Sequence, residues 1–244
     1  MRKYRKKEQL FIAEGARCVE QILSNGYINV KEVYADESLA ESFSFIPSDT
    51  PLYTTDAGTL ADISDTENTQ GILAVCEIPD EKESADMAKE YGTIVAMDAI
   101  QDPGNAGTII RTAAWFGAAG ILSGTGTVDI YHPKVVRSTA GATGFLPVLN
   151  GDLNEILPLF DSAGWSVYLL DGGPESLDIR KVPHQVRQLI VTGNEGNGIQ
   201  KSILNSRYPR VRIPGHSDAV ESLNAAIACS IGLYQLSVPN NRET

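Results

Sequence analysis

Between Thr93 and Gly117 the sequence passes from an unbroken apolar run, through a turn, into helical spacing. Thr93-Ile94-Val95-Ala96-Met97 shows no polar alternation and reads as a strand covered on both faces of a parallel sheet. Asp102, Pro103, Gly104 and Asn105 then supply turn chemistry. Beyond them Ile109, Ile110, Ala113, Ala114 and Phe116 mark the buried side of a helix, with Asn105 as its expected N-cap and Gly117 as its stop. Arg111 sits among small and apolar neighbours. Helical side chains lean toward the N-terminus, so its guanidinium is expected to reach back over the turn carrying Asn105. Strand end, turn, helix start and Arg together suit an anionic group or a polarised hydroxyl. An ordinary strand–turn–helix unit with a surface Arg fits the same residues.

From Thr93 onward strands and helices alternate, which favours a parallel sheet covered on both faces. Strands are expected at 120–123, 166–170, 188–192 and 210–213, and helices at 132–140, 153–163, 199–205 and 222–236. Residues 1–80 read as a separate small α/β unit. It holds an amphipathic helix with apolar positions from Phe11 to Leu23 and its end near Asn25-Gly26, strands at 30–35, 51–54 and 71–78, and a short helix at 55–61. The charged stretch 81–92 is the expected linker or boundary, and 93–244 the second domain.

The net charge of −11 excludes indiscriminate binding to a phosphate backbone, though not local binding. Arg2, Lys3, Arg5, Lys6 and Lys7 form one basic cluster, expected as a solvated, partly disordered tail; Lys134 and Arg137 mark a second surface. Cys18, Cys76 and Cys229 are scattered, which argues against a disulfide framework or a cysteine zinc site and fits packing roles in a reducing cytoplasm. No apolar run reaches membrane-spanning length, so no membrane role is expected. Gly193 and Gly198 have P-loop spacing, but Ile199 and Gln200 stand where Lys and Ser/Thr are needed. Gly124-Thr125-Gly126 lacks the third glycine of a dinucleotide loop, with Asp129 in its place. His132, His184 and His216 are far apart, so no metal is expected. No Gly-x-Ser-x-Gly elbow is present.

Three loop–helix segments at strand ends remain: 98–117, the GNEGNG turn at Gly193–Gly198, and the run from Ile213, in which Ser222 is the expected N-cap of the last helix. Asn105-x-Gly107-x-x-x-Arg111, Gly193-x-Glu195-Gly196-x-Gly198, and Ile213-Pro214 followed by Ser222-Leu223-Asn224 resemble the three ordered motifs of the SpoU (TrmH) ribose methyltransferases. Pro133-Lys134-Val135-Val136-Arg137-Ser138 looks like that family's segment between the first two motifs. Glu14-Gly15-x-Arg17-x-Val19 with Gln70-Gly71-Ile72 is similar to the small RNA-binding domain that many members carry.

This resemblance covers nearly the whole chain. It implies an α/β catalytic domain with a C-terminal trefoil knot, S-adenosylmethionine as cofactor, and a homodimer with the active site at the interface. The implied reaction is methyl transfer to a ribose 2′-hydroxyl of RNA, ribosomal RNA first and transfer RNA second. By position Gly193, Asn194, Gly196, Ile213 and Leu223 would hold the cofactor, and Asn105, Arg111, Glu195, Ser222 and Asn224 would line the reaction centre. Arg17, Lys134 and Arg137 would meet RNA. Gly215 stands where a Met is common in the family, and the chain between Pro214 and Ser222 is slightly longer than usual. A catalytically silent RNA-binding protein of this fold, and an α/β enzyme using another nucleotide, are the competing classes.

Overall fold

The structure, a computed structural model, describes residues 2–66, 69–216 and 220–237. In chain order the elements begin α1 (Arg2–Glu8), β1 (Leu10–Glu14), α2 (Ala16–Asn25), β2 (Val30–Asp36), β3 (Leu52–Thr55), α3 (Ala57–Ile63) and β4 (Ile72–Glu77). There follow α4 (Ser84–Met87), β5 (Gly92–Asp98), α5 (Pro103–Trp115), β6 (Gly120–Gly124), α6 (Pro133–Ser138), β7 (Val148–Gly151) and α7 (Leu153–Ser162). The chain continues with β8 (Ser166–Leu170), β9 (Leu177–Asp178), β10 (Arg187–Gly193), α8 (Lys201–Leu204), β11 (Arg210–Arg212) and α9 (Ala225–Leu236).

Two compact units result. The first contains residues 1–80 together with 129–145, and the second contains 81–128 and 146–244. The expected division therefore changes at two places. Residues 129–145 belong with the N-terminal unit, because Val136 of α6 is fully buried in the same apolar cluster as Phe11, Val19 and Ile22. Residues 81–92 join the second unit, so the boundary falls at their start, and Met87 is fully buried in that unit's core.

In the first unit the sheet order is β1-β4-β2-β3, with β4 antiparallel to both neighbours and β2 parallel to β3. The helix expected over Phe11–Leu23 is split. Phe11 and Ala13 alternate inward along β1, which pairs with β4, and Gly15 at φ 94 turns the chain before α2 starts at Ala16. A short apolar run is ambiguous between strand and helix, and here pairing with β4 settles it. The N-terminal basic segment is helical, not a disordered tail.

In the second unit the order is β7-β6-β5-β10-β8-β11-β9, every pair parallel. The central strands β5 and β10 are buried along nearly their whole length, as their unalternated apolar sequences require. Ile94, Ala96, Leu189 and Val191 on one face meet Leu153, Leu157, Phe160 and Trp165. Helix α9 supplies Ala225, Ala226, Cys229, Gly232, Leu233 and Leu236 as buried residues. Burial pushes the thiol of Cys18 up to about 11 and those of Cys76 and Cys229 up to about 12, so all three behave as packing residues. Among the described residues no helix is long and apolar enough to cross a membrane.

Candidate active site

Strands β5 and β10 are neighbours, with Gly193 opposite Asp98 at their carboxyl ends. From β5 the chain moves to β6 on one side, and from β10 it moves to β11 on the other. The sheet therefore reverses its winding between these two strands, which is where a crevice opens in an open α/β sheet.

After β5, Asp102 rather than Asn105 caps α5, its carboxylate accepting the Asn105 backbone N–H at 2.8 Å. Pro103 occupies the first turn, where its fixed φ costs nothing and its missing N–H is not needed. Asn105 is thereby one turn into the helix, and its side chain is free to act elsewhere. Its Nδ2 donates to Glu195 Oε1 at 2.8 Å, and its Oδ1 accepts from Asn224 Nδ2 at 2.9 Å. Asn224, not Ser222, caps α9, its Oδ1 accepting from Ala226 N at 2.9 Å and Ile227 N at 3.2 Å. Asn is as good a cap as Ser, and only Asn has a remaining N–H pair to send across to Asn105. Three segments distant in sequence are thus joined by three side chains.

The turn after β10 is a narrow hairpin in which Asn194 and Gly198 exchange backbone hydrogen bonds of 3.0 and 2.9 Å. Gly193 is obligatory: a Cβ there would lie 2.2 Å from Ile199 N. Asn194 holds the hairpin from within. Its Oδ1 accepts from Gly196 N (2.9 Å) and Asn197 N (3.1 Å), and its Nδ2 donates to Ala99 O (2.8 Å). Glu195 is carried exposed at the tip. The far end is fastened by a pair that the sequence did not single out. Asp98 is fully buried, and its carboxylate accepts from Gln200 N at 2.7 Å and Gln200 Nε2 at 2.6 Å. The available signal was a lone acid closing an apolar strand, and Gln200 standing where a P-loop needs Ser or Thr.

Ile213 follows β11 half-buried, and Leu223, beside the Asn224 cap, is 46% exposed. Residues 217–219 of the altered Gly215–Val220 loop lie outside the described residues. Ser222 is exposed and takes no part in the junction. Arg111 lies six residues beyond Asn105, about 9 Å along the helix and about a third of a turn round it. It is exposed and makes no hydrogen bond or ion pair among the described residues. It shares its side of α5 with Trp115, 84% exposed. The same helix packs on α9 through Ser230 Oγ, 3.3 Å from Thr112 Oγ1, and through the Phe116 and Tyr234 rings at 6.2 Å.

In the first unit Arg17 and Arg137 line one cavity of about 210 Å³ together with Glu14 and Gln70. Arg137 is already engaged, donating from Nη1 to buried Glu14 at 2.7 Å and standing 3.6 Å from Asp65. Arg17 is exposed at the start of α2, and Lys134 is exposed in the first turn of α6.

A wholly parallel sheet with three loops converging at its winding reversal, joined in one chain to a small mixed sheet, defines a two-unit α/β enzyme. The chain belongs to the SpoU rRNA methylase family, whose model matches residues 92–234, while a model for an MRM3-like substrate-binding domain matches residues 1–74. The chain is 33% identical to the 23S rRNA (guanosine(2553)-2′-O)-methyltransferase RlmP of Bacillus subtilis (strain 168), over 96% of this chain and 91% of that protein. A crystal structure of an AdoMet-bound rRNA methyltransferase from Sinorhizobium meliloti superposes with a TM-score of 0.82 at 27% identity, covering 96% of this chain and 89% of that one. An RNA 2′-O ribose methyltransferase structure gives 0.79 at 25% identity, covering 96% and 90%.

Proposed function

We propose that this protein transfers a methyl group from S-adenosylmethionine to a ribose 2′-hydroxyl of ribosomal RNA. The observation that carries the reading is the Asn224–Asn105–Glu195 junction at the winding reversal of a chain belonging to this family. The relatives' action on 23S rRNA favours ribosomal over transfer RNA.

The residues present fit the cofactor. At Gly196 a Cβ would meet nothing nearer than 3.6 Å, and at Gly198 and Gly215 nothing within 4 Å, so backbone is open to a ligand there. Gly193, Asn194 and Gly196 shape that surface, and Ile213 and Leu223 offer apolar faces for an adenine. When bound, S-adenosylmethionine supplies a methyl group already activated on sulfonium, so the chain needs only to align the acceptor and manage its proton. Asn105 and Asn224 fix the wall of the crevice, and Glu195 presents its carboxylate there. Ser222, exposed two residues before the Asn224 cap, is read as offering a hydroxyl to the ribose. Arg111, with its planar fork of N–H donors, steadies the substrate phosphate and the charge developing on the 2′-oxygen, and the phosphate or water takes the proton.

The reading includes a homodimer with the site at its interface. Helix α9 is apolar on all sides, and its outer residues Ile227, Ile231 and Tyr234 (75% exposed) recur at helical spacing. Such a helix is normally covered, and a second copy would cover this one together with Trp115 and bring Arg111 to the partner's crevice. The C-terminal segment is read as a trefoil knot on the strength of family membership. Residues 1–80 are read as the substrate-binding unit, with Arg17, Lys134 and Arg137 toward RNA. Three unpaired buried thiols support a cytoplasmic setting.

The test is incubation of the full chain with labelled S-adenosylmethionine and 23S or 16S rRNA transcripts, followed by mapping of alkali-resistant riboses. Label at one ribose is expected. Transfer only to a base nitrogen or carbon, or none to either RNA, would overturn the reading.

A further inference from the structure

The first eight residues concentrate positive charge in a chain of net charge −11, and the structure gives that charge a fixed direction. Arg5 of α1 donates from Nε (3.1 Å) and Nη2 (2.7 Å) to Asp129 Oδ2. Both partners are largely buried, with side chains 12% and 17% exposed. A two-nitrogen grip of this kind sets the roll of the helix as well as its place. The last turn of α1 is further held by Gln9, whose Nε2 donates to Lys6 O at 2.7 Å.

At about 100° per residue, Lys3 and Lys7 lie about 160° round the helix from Arg5, and Lys6 and Tyr4 lie about 100° from Arg5, one to either side. Lys3, Lys6 and Lys7 are exposed, and so is Tyr4. The Lys7–Glu8 ion pair, at 2.9 Å, joins two well-exposed groups and gives way readily to a stronger anion.

We infer that α1 is an RNA-backbone contact of the first unit: Lys3, Lys6 and Lys7 face the phosphates, Tyr4 offers a ring at the edge, and the Arg5–Asp129 pair aims them. This rests on the RNA substrate proposed above. Ammonium groups on flexible stems suit phosphates without reading sequence, so α1 positions the RNA and leaves the choice of ribose to the crevice.

The experiment measures binding of a 23S rRNA transcript by the full chain at several salt concentrations. The variants are the triple Lys3→Gln, Lys6→Gln, Lys7→Gln and, separately, Asp129→Asn. The triple variant is expected to bind at least about tenfold more weakly at 0.15 M salt, with a log–log salt slope shallower by roughly 2. Its melting temperature should be unchanged. Asp129→Asn removes a negative charge and leaves Arg5 only a neutral amide to hold it, so charge alone predicts tighter binding, whereas loss of aim predicts weaker binding. Weaker binding is expected. A triple variant with the affinity and slope of the unaltered chain, or tighter binding by Asp129→Asn, overturns the inference about α1. Failure of the unaltered chain to bind the transcript overturns the RNA reading itself.

Discussion

Replacing Asn105 with aspartate keeps the shape of the side chain and turns one hydrogen-bond donor into an acceptor. In the structure that donor, Nδ2, lies 2.8 Å from Glu195 Oε1. The substitution removes a charge-assisted hydrogen bond worth about 1.5–3 kcal/mol and sets two carboxylates against each other. At about 4 Å between charge centres the repulsion is about 1 kcal/mol in water and about 4 kcal/mol in a surface-like dielectric; since Glu195 is exposed, the lower part of that range applies. A loss of roughly 2–4 kcal/mol at neutral pH follows, an effect visible in the midpoint of urea unfolding. The sign with pH is definite. Protonating either carboxylate removes the repulsion and supplies an O–H donor, so the penalty belongs to the doubly ionised pair and fades as acid is added. The variant should therefore recover stability relative to the unaltered chain as the pH is lowered from neutrality. Combining Asn105→Asp with Glu195→Gln restores one donor and one acceptor with reversed polarity and should recover most of the loss at pH 7. If the single variant unfolds at the same urea concentration as the unaltered chain at pH 7, the junction does not exist in solution and the argument fails.

Gly193→Ala forces a methyl group into backbone 2.2 Å away, so the hairpin must shift; a loss of about 1–3 kcal/mol and of S-adenosylmethionine binding by calorimetry is expected, and intact binding would contradict the role given to this turn. Asp98→Ala removes both acceptors of Gln200 and should cost about 2–4 kcal/mol, with a raised KM for the cofactor and little change in kcat; an unaltered KM would show that Asp98 does not position the hairpin. Arg111→Lys keeps the charge but not the planar fork, so turnover in the methylation assay should fall at least about tenfold while thermal stability stays within about 0.5 kcal/mol. Near-normal turnover would remove Arg111 from the chemistry.

Much of the second unit was legible because its strands lack alternation. Unbroken apolar runs such as Gln188–Thr192 have few other fates in a chain of this length, and 166–170 was placed at its observed bounds. Helix starts were harder, for a physical reason. Asp102, Asn105, Ser222 and Asn224 are all good caps, and only the fold decides which faces its own helix and which is free to cross to a neighbour. The convergence of Asn105, Glu195 and Asn224 followed from family resemblance, since nothing in local spacing can bring residues 90 and 119 positions apart together. Asp98 and Gln200 escaped notice because each is unremarkable alone. In the first unit β1 was read as helix because five residues are too few to separate the two periods.

The interleaving of the two units bears on how such a chain can be cut and recombined. Val136 and Tyr131 fill the hydrophobic interior around Phe11, whose ring centroid is 5.1 Å from that of Tyr131, yet both are encoded downstream of β6. A fragment ending at residue 80 would carry a void where they belong, and one starting at residue 93 would display them uselessly to water. A functional chimera with a relative must therefore exchange two stretches of gene at once, and grafts made at a single crossover are expected to misfold.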